Sequence, residues 1–274
     1  MPRTVDRRSL LLALGAAAVL AGCGAPPEPA GETPAPSPTP EPAPTATPAP
    51  TLPPVPGPRP GPNQVISHGP APSGPADRRI ALTVDDGTAP DVVAGYVAFA
   101  ERSGVHLTFS PNGSYNRAWA PHAPVLRPLV AAGQVQIINH TFTHRDLRKI
   151  GDKDRRDELE RNDEWVVRTF GATTRPYYRP PFGFHTPEID GLAGELGYTR
   201  TVLWDGSFSD SQTITPEFLM EQARKYLQPG VINLGHANHP TILGLFDQLT
   251  DLIRERTLTP VTLDEMFGTS RATG

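Results

Sequence analysis

Ile80-Ala81-Leu82-Thr83-Val84-Asp85-Asp86-Gly87 is the stretch from which the fold can be read. Residues 80–84 are short, apolar and bounded by charge on both sides, so they read as a buried strand. A helical pattern follows over 89–102, with Val92, Val93, Tyr96, Val97 and Phe99 as its apolar residues and Gly104 closing it. The alternation then continues to the end of the chain. Strands are expected at 106–110, 135–139, 177–179, 199–204, 231–234 and 260–263. Helices are expected at 123–132, 152–170, 187–196 and 216–227, and from Pro240 onward. Residues 152–170 read as a surface helix, charged on one side and closed by Gly171. Repeated strand–helix units predict a parallel α/β sheet, either closed into a barrel or doubly wound. In both cases functional loops follow the C-terminal ends of the strands.

The unusual polar residues respect that rule. Asp85-Asp86 follows the first of these strands and His140-Thr141-Phe142-Thr143-His144 the third. Arg179-Pro180-Pro181-Phe182-Gly183, residues 205–210 and His236 follow the next three. An i, i+4 histidine pair puts two rings on one side of a helical turn. With one carboxylate from elsewhere it makes a facial metal site with open positions. Adjacent aspartates at a buried strand end are costly to desolvate, and a cation relieves that cost. One carboxylate can then bind metal while the other stays free as a base.

Composition sets the boundaries. Of 34 prolines, 17 lie between Pro26 and Pro62. Setting aside that stretch and what precedes it leaves about 200 residues, enough for one α/β domain. The net charge of −4, without a basic cluster beyond the N-terminus, argues against nucleic acid as a partner. Arg3, Arg7 and Arg8 precede an apolar run that is short for a bilayer span and suits an export signal. Leu20-Ala21-Gly22-Cys23 resembles a lipoprotein processing site, with Cys23, the single cysteine, as the lipidated residue. Arg7-Arg8 also resembles a twin-arginine signal. The expected organisation is a lipoprotein signal peptide (1–23), a Pro-rich disordered linker (24–76) and a catalytic domain (77–274). Alternating prolines favour polyproline II, whose reach over ~38 residues is on the order of 100 Å. The expected location is exported and lipid-anchored, at the outer face of the cytoplasmic membrane or in the cell envelope, as a monomer.

Thr83-Val84-Asp85-Asp86-Gly87, His140-Thr141-Phe142-Thr143-His144, Arg179-Pro180-Pro181-Phe182-Gly183 and Leu234-Gly235-His236 together resemble four ordered motifs of the polysaccharide deacetylases, carbohydrate esterase family four. The resemblance spans 80–263. It implies a distorted parallel (β/α) barrel of about seven strands and removal of acetyl groups from N-acetylglucosamine-containing polysaccharides such as peptidoglycan or chitin. It implies a divalent metal, Zn²⁺ first and Co²⁺ or Ni²⁺ as alternatives, held by Asp86, His140 and His144. It further implies Asp85 as base, Arg179 as the residue orienting it, and His236 as acid with Asp210 as its partner, Asp205 competing for that place. Pro181, Phe182, Gly183, Trp204 and Leu234 are expected along the substrate groove. The family's usual tryptophan beside the Asp210 position is Ser211 here. Rival expectations are an O-acetyl xylan esterase of the same fold, a small-molecule amide hydrolase and a non-catalytic glycan-binding lipoprotein. Trp119, Tyr177 and Tyr178 are read as core residues, and His106, His122, His185 and His239 receive no ligand role.

Overall fold

The structure, a computed structural model, describes Gly57 and residues 59–269. The expected signal peptide, Cys23 and most of the Pro-rich stretch lie outside the described residues. Nine strands are described: β1 (Gln64–Ile66), β2 (Arg79–Asp86), β3 (Leu107–Pro111), β4 (Val135–Ile137), β5 (Tyr177–Tyr178), β6 (Arg200–Val202), β7 (Gly206–Ser207), β8 (Ile232–His236) and β9 (Thr259–Val261). Between them run α1 (Pro90–Ser103), α2 (Asn116–Trp119), α3 (Ala123–Ala131), α4 (Asp152–Phe170), α5 (Pro187–Glu195), α6 (Pro216–Tyr226) and α7 (Phe246–Glu255); α8 (Leu263–Phe267) follows β9.

The strands pair in parallel in two sheets, β4-β3-β2-β8-β7 with β9 also on β2, and β1-β6-β5. Two isolated bridges join the sheets, Asn139 to Tyr178 in parallel and His68 to Val231 in antiparallel. The wall is therefore a distorted barrel whose seams are single bridges. Ile66, Ala81, Ile138, Tyr177, Val202, Ile232 and Val261 meet Leu263 and Met266 of α8 in one apolar cluster. A cluster drawn from so many strands is the barrel interior, and α8 plugs its lower end. A larger cluster packs α1, α3, α6 and α7 onto the outside, and a third sits under α4 and α5.

Strand period then places the site. Side chains at i and i+2 face the same way. Ala81 leads inward through Thr83 to Asp85, Ile232 through Leu234 to His236, Ile138 to His140, Tyr177 to Arg179 and Val202 to Trp204. Each of these five inner apolar residues thus has a functional candidate two or four positions later, at the C-terminal rim.

Three expectations need correction. The folded region begins before Asp77, because β1, inside the stretch expected as linker, pairs Gln64–Ile66 with Arg200–Val202; the prolines around it masked a three-residue strand. Pro240 opens a 3-10 turn, Pro240–Gly244, and the α-helix starts only at Phe246. The polar side of α4 is not wholly solvated: Arg155, Glu158, Asn162 and Asp163 are buried.

Candidate active site

Asp85 and Asp86 end β2, and Asp86 has φ 69°, a left-handed conformation that turns its side chain towards the histidine loop. Gly87 follows at φ 108°, and a Cβ there would stand 2.0 Å from Trp119 Nε1. Only glycine lets that indole approach and donate to the Asp86 carbonyl at 2.8 Å. Trp119, Tyr177 and Tyr178 are fully buried.

His140 and His144 do converge, but not on a helical turn. Thr141 and His144 have φ 65° and 59°, so the segment is a loop with two left-handed residues. Such strained positions persist only where their surroundings hold them. The holders are buried. Asn112 donates to the carbonyls of His140 at 2.5 Å and Thr141 at 3.0 Å. Asn139 Oδ1 accepts from Thr141 N at 2.8 Å. Glu158 of α4 accepts from Thr143 N at 2.7 Å and also from the Thr143 hydroxyl.

The ligand atoms offered by Asp86, His140 and His144 lie within 4.8 Å of one another. His140 Nδ1 donates to the Arg179 carbonyl at 2.8 Å, which leaves its Nε2 lone pair facing inward. That Nε2 lies 3.3 Å from Asp86 Oδ1, and His144 Nε2 lies 3.4 Å from the same oxygen. Yet Asp86 Oδ1 is buried and has no hydrogen-bond partner. A buried carboxylate oxygen left unpaired beside two imidazoles is costly, and a divalent cation satisfies all three donors together. The residues fit a metal.

The electrostatics favour free donors at Asp86 and His144, and at His140 a proton that a cation must displace. Burial opposes ionisation of Asp86, but the His140 ring beside it and the charges of His140, His144 and His236 hold its carboxyl well below the usual range. Burial opposes protonation of His140, while the Asp85 and Asp86 carboxylates outweigh it and raise the ring. Burial and then the His140 charge lower His144 to about 4, so its nitrogen stays free to ligate at neutral pH.

Two ion pairs flank these residues. Arg179, fully buried, donates from Nη1 to Asp85 Oδ1 at 2.7 Å and to Thr83 Oγ1 at 2.9 Å. The other Asp85 oxygen, Oδ2, lies 3.6 Å from His140 Nε2. Opposite, Asp210 grips His236 twice, accepting from Nδ1 at 2.8 Å and from the backbone N at 3.1 Å. Burial works against a charged His236, but the Asp210 hydrogen bond and charge raise its pKa. Asp205 accepts instead from Ile232 N at 2.9 Å, away from His236. The register places Asp85 directly opposite His236, so base and acid candidates share one rung.

Of the expected groove residues, Phe182 is 57% exposed and lies edge-to-face on His144 at 4.6 Å. Gly183 sits against the partly buried Trp204 ring, 3.0 Å from where a Cβ would stand. Pro181 and Leu234 are buried. Ser211 is exposed. His106, His185 and His239 bond Glu265, Asp190 and Thr213, away from the triad. Sequence reading missed Asn112, Asn139, Glu158 and Asn238. Asn112 and Asn238 follow strands as closely as the residues it found, and that was their only signal.

A polysaccharide deacetylase family model matches residues 73–201. A chitin deacetylase of Arthroderma benhamiae is 27% identical over 198 residues, 70% of this chain and 53% of that one. The present chain thus spans about half the length of that relative. The peptidoglycan-N-acetylmuramic acid deacetylase of Bacillus subtilis is 26% identical over 183 residues, 65% of this chain and 68% of its own. Among solved structures, a family four carbohydrate esterase pseudoenzyme from Bacillus anthracis superposes with TM-score 0.63 at 18% identity, covering 74% of this chain and 68% of that one. Residues 73–201 therefore match the polysaccharide deacetylase family, and the barrel built around them has the fold of the family four carbohydrate esterases.

Proposed function

We propose that this chain is a metal-dependent deacetylase that hydrolyses N-acetyl groups on an N-acetylglucosamine-containing glycan, of peptidoglycan or chitin type, and releases acetate. One observation carries the reading: the buried, unpartnered Asp86 Oδ1 between two imidazole nitrogens, beside a second carboxylate held by Arg179. A pseudoenzyme shares the fold, so fold alone carries no activity; these side chains do.

Asp86, His140 and His144 would hold the cation, and nitrogen and oxygen donors of this kind suit Zn²⁺. When bound, the ion supplies Lewis acidity, polarising the acetyl carbonyl and acidifying water. Asp85 then takes the proton of the attacking water as general base. Arg179 holds one Asp85 oxygen and leaves the other to work. The peptide N–H of Phe182 is assigned to the developing oxyanion. His236, kept cationic by Asp210, gives its proton to the sugar nitrogen as the C–N bond breaks. The amine and acetate leave.

Phe182 and Ser211 are exposed beside the site, which suits a polymer lying across an open rim. The reading also includes export, a lipid on Cys23 and a Pro-rich tether to an envelope substrate, all argued from sequence. No helix among the described residues is long and apolar enough to cross a membrane.

Acetate release is measured with Zn²⁺-loaded protein on chitin oligomers, peptidoglycan and acetylated xylan, with Asp85→Asn in parallel. Release from the N-acetylated substrates, lost in Asp85→Asn, is expected. Release from xylan alone replaces the reading with an O-acetyl esterase, and folded, metal-bound protein that releases none is a binding protein.

A further inference from the structure

Asn238 lies two residues beyond His236 and uses its whole side-chain amide on the Asp86 turn. Its Nδ2 donates to Asp86 Oδ2 at 2.7 Å. Its Oδ1 accepts from Gly87 N at 3.3 Å, Thr88 N at 3.0 Å and Thr88 Oγ1 at 2.9 Å. The orientation of the amide is forced, because the two backbone amides can only donate and the carboxylate can only accept.

The two oxygens of Asp86 are therefore unequal. Oδ2 is engaged by Asn238; Oδ1 is buried, without a hydrogen bond, and faces His140 and His144. Trp119 fixes the carbonyl of the same residue from the other side. We infer that Asn238 is a positioning residue that selects Oδ1 of Asp86 as the single ligating oxygen and ties the metal site to the loop carrying His236. A carboxylate with both oxygens free could rotate or chelate through both. One oxygen tied down fixes the third donor before the ion arrives. The tie works in both directions, since whatever fixes Asp86 also fixes residues 236–239.

This rests on the reading of Asp86, His140 and His144 as a metal centre. The test is Zn²⁺ affinity, measured by competition with a chromophoric chelator on the full chain, together with melting of the metal-free protein. Asn238→Ala and Asn238→Ser, whose hydroxyl is too short to reach Asp86, are expected to weaken Zn²⁺ about 10–100-fold while the metal-free fold is retained. Thr88→Val removes one bond to Asn238 without touching its bond to Asp86, and is expected to keep wild-type affinity. Hydrogen exchange of the wild type should show residues 86–88 and 236–239 gaining protection together when Zn²⁺ is added. That measurement carries the test if neither Asn238 variant folds. Wild-type affinity in the folded variants, or protection confined to the Asp86 and histidine loops, overturns the role of Asn238 alone. Folded wild type that binds no Zn²⁺ overturns the metal centre and this inference with it. Zn²⁺ binding without acetate release leaves this inference standing and removes only the proposed activity.

Discussion

Replacing Arg179 with methionine removes the charge facing Asp85 and keeps most of the stem's volume. The guanidinium is fully buried, and Asp85 is only 2% exposed, so water does not take its place. The lost contacts are the 2.7 Å pair with Asp85, the 2.9 Å bond to Thr83, a 3.2 Å bond to the Val202 carbonyl and a 3.4 Å bond to the Leu203 carbonyl. Removing one partner of a buried ion pair costs about 3–5 kcal/mol. His140 Nε2, 3.6 Å from the other Asp85 oxygen, offsets part of the exposed charge. The lower half of the range is therefore expected, roughly 3–4 kcal/mol. A domain of this size loses ~2–4 °C per kcal/mol, so the midpoint should fall by roughly 6–16 °C. Thermal and urea unfolding in the presence of a chelator measures it without a cation to neutralise Asp85. In a double-mutant cycle, adding Asp85→Asn to Arg179→Met should recover stability, because the stranded carboxylate is gone. A loss under about 1 kcal/mol, the scale of an exposed pair, refutes the reasoning.

Asp210→Asn should shift the alkaline limb of the pH–rate profile to lower pH. Asp210 raises the His236 pKa against burial, so the proton donor persists to higher pH only while that carboxylate is present. The same sign governs stability: the pair stabilises fully below the unfolded histidine pKa and fades as pH rises through the raised folded value. The variant should thus lose more stability in mildly acidic than in alkaline buffer. Gly87→Ala forces a Cβ against Trp119 Nε1 at φ 108°, and should cost roughly 2–6 kcal/mol and alter Trp119 fluorescence. Glu158→Ala frees the Thr143 amide and hydroxyl and should loosen the histidine loop, weakening Zn²⁺ by at least about 10-fold in a chelator competition. Unchanged affinity there means the loop holds its own shape.

The order of elements and the rim of polar residues were legible because β2 and β8 are largely apolar buried runs ended by chemistry-bearing side chains. The site residues recur at even spacing from the inner apolar residues, a strand signal that survives without coordinates. Turn geometry was not legible. His140 and His144 have a helical spacing but reach each other through left-handed Thr141 and His144, positions that sequence propensity disfavours and that buried Asn112, Asn139 and Glu158 impose. A charged helix reads as solvated until its contacts are known, which hid Glu158 and Asn162. The three-residue β1 is too short for periodicity and sits among prolines. Asp210 and Asp205 both follow the strand expected at 199–204, and the two-residue β7 that separates them is too short to show in the sequence.

The central claim is that one cation joins Asp86, His140 and His144. X-ray absorption at the zinc edge on Zn²⁺-loaded protein tests it most directly. Two imidazole nitrogens at about 2.0–2.1 Å and one carboxylate oxygen in the first shell, with binding abolished in Asp86→Ala, are expected. A shell without two imidazoles, or zinc retained equally by Asp86→Ala, contradicts it.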